Sequence, residues 1–255
     1  AQMETQTTVE LTEESRTSDL AGIYLLDQSA FRRPGVTQRG RLRLSQRLRL
    51  FPNAPRYGLN VGVSRVRSLN DLAAGVEETF RSQWEAEGRY RPGRRWSVSL
   101  RGLVGQNRTE SEAFASRRYD IDRVQLEPKA TFRPGEGLRL TASGVLAQKS
   151  DAVGTRRARV LRAPMEAEWS RARRLRLTAR GEVSRVTITG EERVTGRARY
   201  ELTDGRGVGT TFRWGLSGRY AINEFLSASL SYDGRSAARN APVVHTARLN
   251  LSASF

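Results

Sequence analysis

Ten residues, Arg41 to Leu50, read RLRLSQRLRL, with Leu42, Leu44, Leu48 and Leu50 at even positions and Arg41, Arg43, Arg47 and Arg49 at odd ones. A helix would mix these two sets around its circumference. An extended chain, whose side chains alternate with period two, keeps them on opposite faces. The segment is therefore a strand with one apolar and one cationic face.

The same period recurs along the whole chain. Tyr57, Leu59, Val61 and Val63 form one apolar set, and Val76, Phe80, Trp84, Ala86 and Tyr90 form the next, opposed by Glu77, Arg81, Glu85, Glu87 and Arg89. Further sets start at Trp96, Val124, Leu138, Leu161, Leu175, Phe212 and Leu226, and the last runs Ala247, Leu249, Leu251, Ala253, Phe255. Several exceed ten residues, longer than the usual five or six of soluble strands and long enough to cross a bilayer obliquely.

Pro52-Asn53-Ala54-Pro55, Arg91-Pro92-Gly93, Arg133-Pro134-Gly135 and Ser170-Arg171-Ala172-Arg173 read as tight turns. The alternate connections, Ser68 to Ala74, Arg108 to Arg117 and Ser150 to Gly154, read as longer loops. Short turns at one end and long loops at the other are the habit of membrane barrels. Phe51, Tyr57, Tyr90, Trp96, Phe132, Trp169, Tyr220 and Phe225 all fall near the short-turn end, where an aromatic girdle would sit at headgroup depth.

Parity fixes the count. The strand at 37–51 runs toward the short turns and needs a partner before it, which Thr7 to Leu11 can supply, with Leu20 to Gly35 as an outer loop. Thr189 to Gly209 is read as an excursion at the loop end, although Val194 to Leu202 alternates. The expectation is all-β: one antiparallel transmembrane β-barrel of about twelve strands over residues 1–255, its last strand hydrogen-bonded to its first.

Composition agrees. Hydrophobic residues make up 37% of the chain, mean hydropathy is −0.59, and no apolar run approaches the length of a transmembrane helix. Averaged hydropathy conceals a strand in which only alternate residues are apolar. There are no cysteines, so disulfides and thiolate sites are excluded. Ala1-Gln2 carries no signal-peptide pattern: the chain starts after a removed signal or is a piece of something longer.

The formal charge of +17 raises nucleic acid as a partner. Binders of single strands interleave stacking aromatics with basic residues on one face. Here the aromatics share the apolar face and the arginines take the other, which argues for lipid on one side and water on the other. A soluble basic β-sheet protein binding a polyanion is the alternative reading.

The terminal run Leu249-x-Leu251-x-Ala253-x-Phe255 resembles the assembly signal of bacterial outer-membrane proteins. Ser231 to Arg235, Ala241 to Arg248, Gln46 to Phe51, Ser68-Leu69-Asn70 and Glu201 to Gly205 resemble the C-terminal barrel region of large uncharacterised outer-membrane proteins of Gram-negative bacteria. The resemblance implies a barrel at the end of a longer polypeptide, Phe255 as the assembly signal, and the barrel-assembly machinery, outer-membrane lipid and other envelope subunits as partners. It supplies no catalytic residue.

Catalysis finds little support. His245 is the sole histidine, lies on the apolar face of the last strand, and has no G-x-S-x-G elbow or spaced acid to work with. One imidazole rarely holds a metal. Gly205-Arg206-Gly207-Val208-Gly209 lacks the Lys-Ser/Thr of a phosphate loop. No catalytic residue, cofactor or metal is expected. The candidate site is the inner face: Arg41, Arg43, Arg47, Arg49, Arg176, Arg180, Arg213 and Arg219, joined by Arg197 and Arg199 if their segment is a strand, and balanced in part by Glu85, Glu87, Glu166, Glu168 and Glu182. Such a lumen is either a plug of Arg–Glu ladders or an anion-attracting passage. The function expected is a non-enzymatic anchor, translocator domain or narrow pore.

Overall fold

A computed structural model describes residues 3–15, 38–72, 75–172, 174–190, 196–223, 225–237 and 242–253. Its strands are β1 (Met3–Ser15), β2 (Gln38–Leu50), β3 (Tyr57–Leu72), β4 (Gly75–Tyr90), β5 (Trp96–Ser111), β6 (Tyr119–Gly135), β7 (Leu138–Ser143), β8 (Val145–Asp151), β9 (Arg156–Arg171), β10 (Leu175–Thr189), β11 (Gly209–Ala221), β12 (Leu226–Ser236) and β13 (Val244–Ala253). One helix, α1 (Gly196–Thr203), lies between β10 and β11. All strands belong to one antiparallel sheet in which sequence neighbours pair, except β7 and β8, which each pair with β6 and β9.

β7 and β8 both lie between β6 and β9, so they are two halves of one strand, and the sheet has twelve strand positions. The break has a local cause. A proline has no N–H to give a ladder, and two prolines flank the interruption at Gly144. Gly144 N donates to Pro128 O at 2.9 Å from the β6 side. On the β9 side Ser143 Oγ donates to Pro164 O at 3.5 Å.

The register carries the alternation across the sheet. Val63 opposes Trp84, Trp84 opposes Val104, Val104 opposes Val124, and Leu146 opposes Leu161. This face is apolar and uncovered: Trp84, Val104, Val124 and Leu161 are all exposed, at 55%, 55%, 58% and 45%. Reading upward from the short turns, its first charges are Arg65 on β3, Glu78 on β4, Arg108 on β5, Asp122 on β6, Arg159 on β9 and Arg185 on β10. Those positions lie about ten residues above the girdle, a height of roughly 25 Å at 3.3 Å per residue and a 40° tilt. An uncharged apolar band of that height matches a bilayer core.

The eight aromatics expected to form a girdle stand at the short-turn end. Tyr57 pairs with Tyr90 across β3–β4, and Trp96 stacks on Phe132 with centroids 4.4 Å apart. Phe51 meets Tyr57 edge-on at 5.2 Å. Trp169 opposes both Leu138 and Leu177, Tyr220 opposes Leu175, and Phe225 is exposed in its turn.

At the other end the structure corrects three loop boundaries. The connection expected over Ser68 to Ala74 is mostly strand: β3 runs to Leu72, registered against Gly75 at the start of β4. Similarly β5 continues to Ser111, with a 3₁₀ turn at Ala115–Arg117 after it, and β8 continues to Asp151. Asp71, Thr109 and Ser111 could extend because ladders continue above the apolar band, where composition gives no warning. Between Thr189 and Gly209, read as an excursion, the described residues hold a helix and no further strand. Gly196 to Leu202, whose pattern also suits a strand, is helical in α1, so Arg197 and Arg199 are helix residues.

α1 has eight residues, too short to persist alone. Its i, i+4 pair Ala198 and Leu202 is fully buried against Tyr119, Ile121 and Ala158, with Ile188 beside them. These wall residues are on the inner face, so the helix folds into the concave side. Asp204 and Gly205 terminate it with φ of +54° and +69°, and Gly205 N donates to Tyr200 O at 2.9 Å.

β1 and β13 are the two ends of the hydrogen-bonded path, and among the described residues no ladder joins them. Thr7 to Leu11 falls within β1. The outer loop expected over Leu20 to Gly35 and the terminal Phe255 lie outside the described residues.

Candidate functional site

The alternation that sends leucines outward sends Arg41, Arg43, Arg47 and Arg49 inward from β2, Arg176 and Arg180 from β10, and Arg213 and Arg219 from β11. The structure divides these eight into paired and unpaired cations. Arg49 reaches Glu4 at 3.5 Å and Arg47 reaches Glu85 at 3.8 Å. Arg176 meets Glu168 at 2.5 Å and Arg180 meets Glu166 at 2.9 Å. Arg41, Arg43, Arg213 and Arg219 form no ion pair among the described residues.

Arg43 has Glu10 opposite it in register without an ion pair, and Arg41 lies between Thr12 and Ser68. Arg213 opposes Arg235, and Arg219 opposes Arg176. Glu182 faces Arg213 in register, yet its carboxylate is taken by Arg206 at 2.5 Å. Glu85, the main acid near β2, is bound most closely by Arg101, at 2.5 Å, and Glu87 opposes Arg101 in register. A recess of about 450 Å³ opens beside Arg41, Arg43, Arg47, Arg81 and Arg101, with Glu85 as its single acid. A larger recess of about 840 Å³ lies between β6 and β13, with Arg139, Arg180, Arg213 and Arg235 facing Glu166, Glu182 and Asp233.

At the loop end α1 lies on the inner face and is fastened to several strands between β4 and β10. Arg197 Nη1 donates to Glu77 Oε1 at 2.7 Å, and the same carboxylate holds Arg117 at 3.2 Å. Lys149 Nζ donates to Asp204 Oδ1 at 2.7 Å and to the Glu201 carbonyl. Asn107 Nδ2 donates to Glu201 Oε2 at 3.1 Å, and Arg206 ties the chain after the helix to Glu182. Burial opposes the charge on Arg197, but the hydrogen bond and charge of Glu77 outweigh it and hold its pKa above the usual guanidinium value. Arg197 and Glu77 thus form a latch of opposite charges between helix and wall. A third recess, of about 210 Å³, runs from Arg81 and Gln83 to Lys149 and Asp204, so the arginine recess and the latch adjoin.

Parity alone could have added Arg81, Arg101 and Arg139 to the site, since each lies opposite an apolar set. Nothing in the sequence pairs Glu77 with Arg197, 120 residues away. His245 sits on the outward face near the loop end. It opposes Gly234, and its Nδ1 shares a hydrogen bond of 2.7 Å with the Tyr232 hydroxyl.

No protein-family model and no curated protein matches the chain. Solved structures do. The siderophore receptor PirA from Pseudomonas aeruginosa aligns with 93% of this chain at 10% identity and a TM-score of 0.55, and the chain spans 44% of that receptor. The translocator domain of autotransporter NalP from Neisseria meningitidis aligns with 98% of this chain and 87% of its own length, at 12% identity and a TM-score of 0.35. The β domain of the Bordetella autotransporter BrkA aligns over 99% of both chains, at 9% identity and a TM-score of 0.38. The likeness to the receptor shows the fold: an antiparallel sheet of the kind that outer-membrane barrels have.

Proposed function

We propose that the barrel is a narrow, anion-attracting, non-enzymatic passage whose outer end is closed by α1. The observation that carries this reading is the recess at β2–β4, where Arg41, Arg43 and Arg81 have no acidic partner among the described residues. A lumen built only for rigidity would neutralise its cations, as Arg176 and Arg180 are neutralised by Glu168 and Glu166. Unpaired guanidiniums under low-dielectric walls attract anions, and a ring of them selects for negative charge.

The test is the reversal potential of the refolded protein in a planar bilayer under a KCl gradient. A double variant, Glu77→Gln with Lys149→Met, loosens α1 and should raise conductance. In that background the current should favour chloride, and Arg41→Glu, Arg43→Glu and Arg81→Glu together should shift the preference toward potassium. Cation preference before the charge reversal, or a reversal potential indifferent to it, refutes the reading. A barrel that stays silent with α1 loosened is an anchor or translocator domain instead.

A further inference from the structure

Besides the lumen, the outer wall carries a second cationic feature. Arg159 on β9 and Arg185 on β10 point outward as the first charges above the apolar band, and Arg157 points outward two residues beyond Arg159. Arg159 opposes Thr187, Arg157 opposes Thr189, and Arg185 opposes Leu161, one step below. All three are exposed. None forms a hydrogen bond or ion pair among the described residues. Directly beneath lie Leu146, Leu161 and Val183, exposed at 47%, 45% and 45%.

Position and sign together identify the occupant. Side chains on diagonal positions of neighbouring strands lie within reach of one ligand, and three guanidiniums so placed repel one another unless an anion stands between them. Elsewhere on this level Arg67 meets Glu78 at 2.6 Å and Arg108 meets Glu110, while Arg65 stands singly, without a second outward arginine beside it that lacks an acid. The nearest outward acid to the cluster is Asp122, opposite Ser150, which in turn opposes Arg157. From β8 to β11 the flanking outward side chains at this height are Gln148, Ser150, Thr187, Thr189 and Thr210, all neutral hydrogen-bonding groups. A guanidinium binds a phosphate through two parallel N–H···O bonds, and hydroxyls complete such a site. At the upper edge of the band, on the long-loop end, the anion within reach is a lipid headgroup of the outer leaflet.

We propose that Arg157, Arg159 and Arg185 form a docking site for a phosphorylated lipid headgroup on the outer wall of the barrel. The acyl chains of that lipid lie against Leu146, Leu161 and Val183 below, and its phosphate is shared among the three guanidiniums. This site is on the opposite face of the sheet from the lumen recess and does not depend on conduction.

The refolded barrel in zwitterionic detergent is titrated with bis-phosphorylated lipid A, with the same lipid dephosphorylated, and with inorganic phosphate, and bound copies are counted by native mass spectrometry. The phosphorylated lipid should bind, and replacing all three arginines by glutamine should weaken it about a hundredfold, from roughly fivefold for each cation near a lipid surface. The charge-matched control Arg91→Gln, Arg94→Gln, Arg95→Gln, at the short-turn end, should leave binding intact. Equal loss in both triple variants means general charge attraction and overturns the proposal, as does equal binding of the dephosphorylated lipid. Displacement by equimolar inorganic phosphate means a free-anion site, which also overturns it. Heat-modifiable migration reports folding of each variant. If the triple variant fails to fold, Arg159→Gln alone must still lose several-fold affinity, and unchanged affinity refutes the assignment.

Discussion

Leu216 is the position where the two faces can be told apart most sharply. It lies on β11 midway between Tyr220 at the girdle and Phe212 near the top of the band, opposes Ala179 and Tyr232, and is 49% exposed. Ser217, one residue on, points inward between Thr178 and Ser231 and is exposed to the lumen. Leu216→Arg puts a cation at the bilayer midplane, where the cost for barrels is about 2–4 kcal/mol. That corresponds to a roughly 30- to 900-fold fall in the folding equilibrium constant. Ser217→Arg meets water and other arginines whose repulsion is screened, so its cost should stay below about 1 kcal/mol. Leu177→Arg should cost less than Leu216→Arg, because Leu177 sits beside Trp169 close to the short-turn end, where the cost drops toward about 0–1 kcal/mol. Equilibrium unfolding in urea from thin-bilayer vesicles, followed by tryptophan fluorescence and gel migration, gives the three values. Equal destabilisation by Leu216→Arg and Ser217→Arg would mean that lipid does not lie against the apolar face.

Two further outcomes follow from the backbone. Because the chain has no cysteine, single cysteines can be paired freely: one within 7–13 and one within 247–253 should crosslink if β1 closes on β13, since lipid offers an edge no other hydrogen bonds. Failure of every pair in that matrix would require other strands to complete the wall. Gly137 turns the chain between β6 and β7 with φ of +88°, and a Cβ there would overlap the Ser170 carbonyl oxygen. Gly137→Ala should therefore cost about 1–3 kcal/mol, read as an earlier urea midpoint, and an unchanged midpoint would exclude the tight turn.

The alternation of Leu42 to Leu50 with Arg41 to Arg49 was enough to settle strand and face, because period two is a property of the extended chain itself and survives whatever packs around it. Turn chemistry did the same for the short-turn end, where Pro92-Gly93 and Pro134-Gly135 fix direction locally. Parity then returned twelve strand positions, although the break at Gly144 needed the prolines of two other strands to be brought beside it. What the sequence left undetermined was decided at a distance. Val194 to Leu202 satisfies the strand period and the i, i+4 spacing of Ala198 and Leu202 equally well, and only the apolar inner patch of Tyr119, Ile121 and Ala158 favours the helix. The fate of each arginine was undetermined for the same reason. Arg43 and Arg47 are alike in sequence and face, but Glu85 reaches one and no acid reaches the other. Local periodicity gives a side chain its face; which charge it meets there depends on register with strands that are remote in the chain.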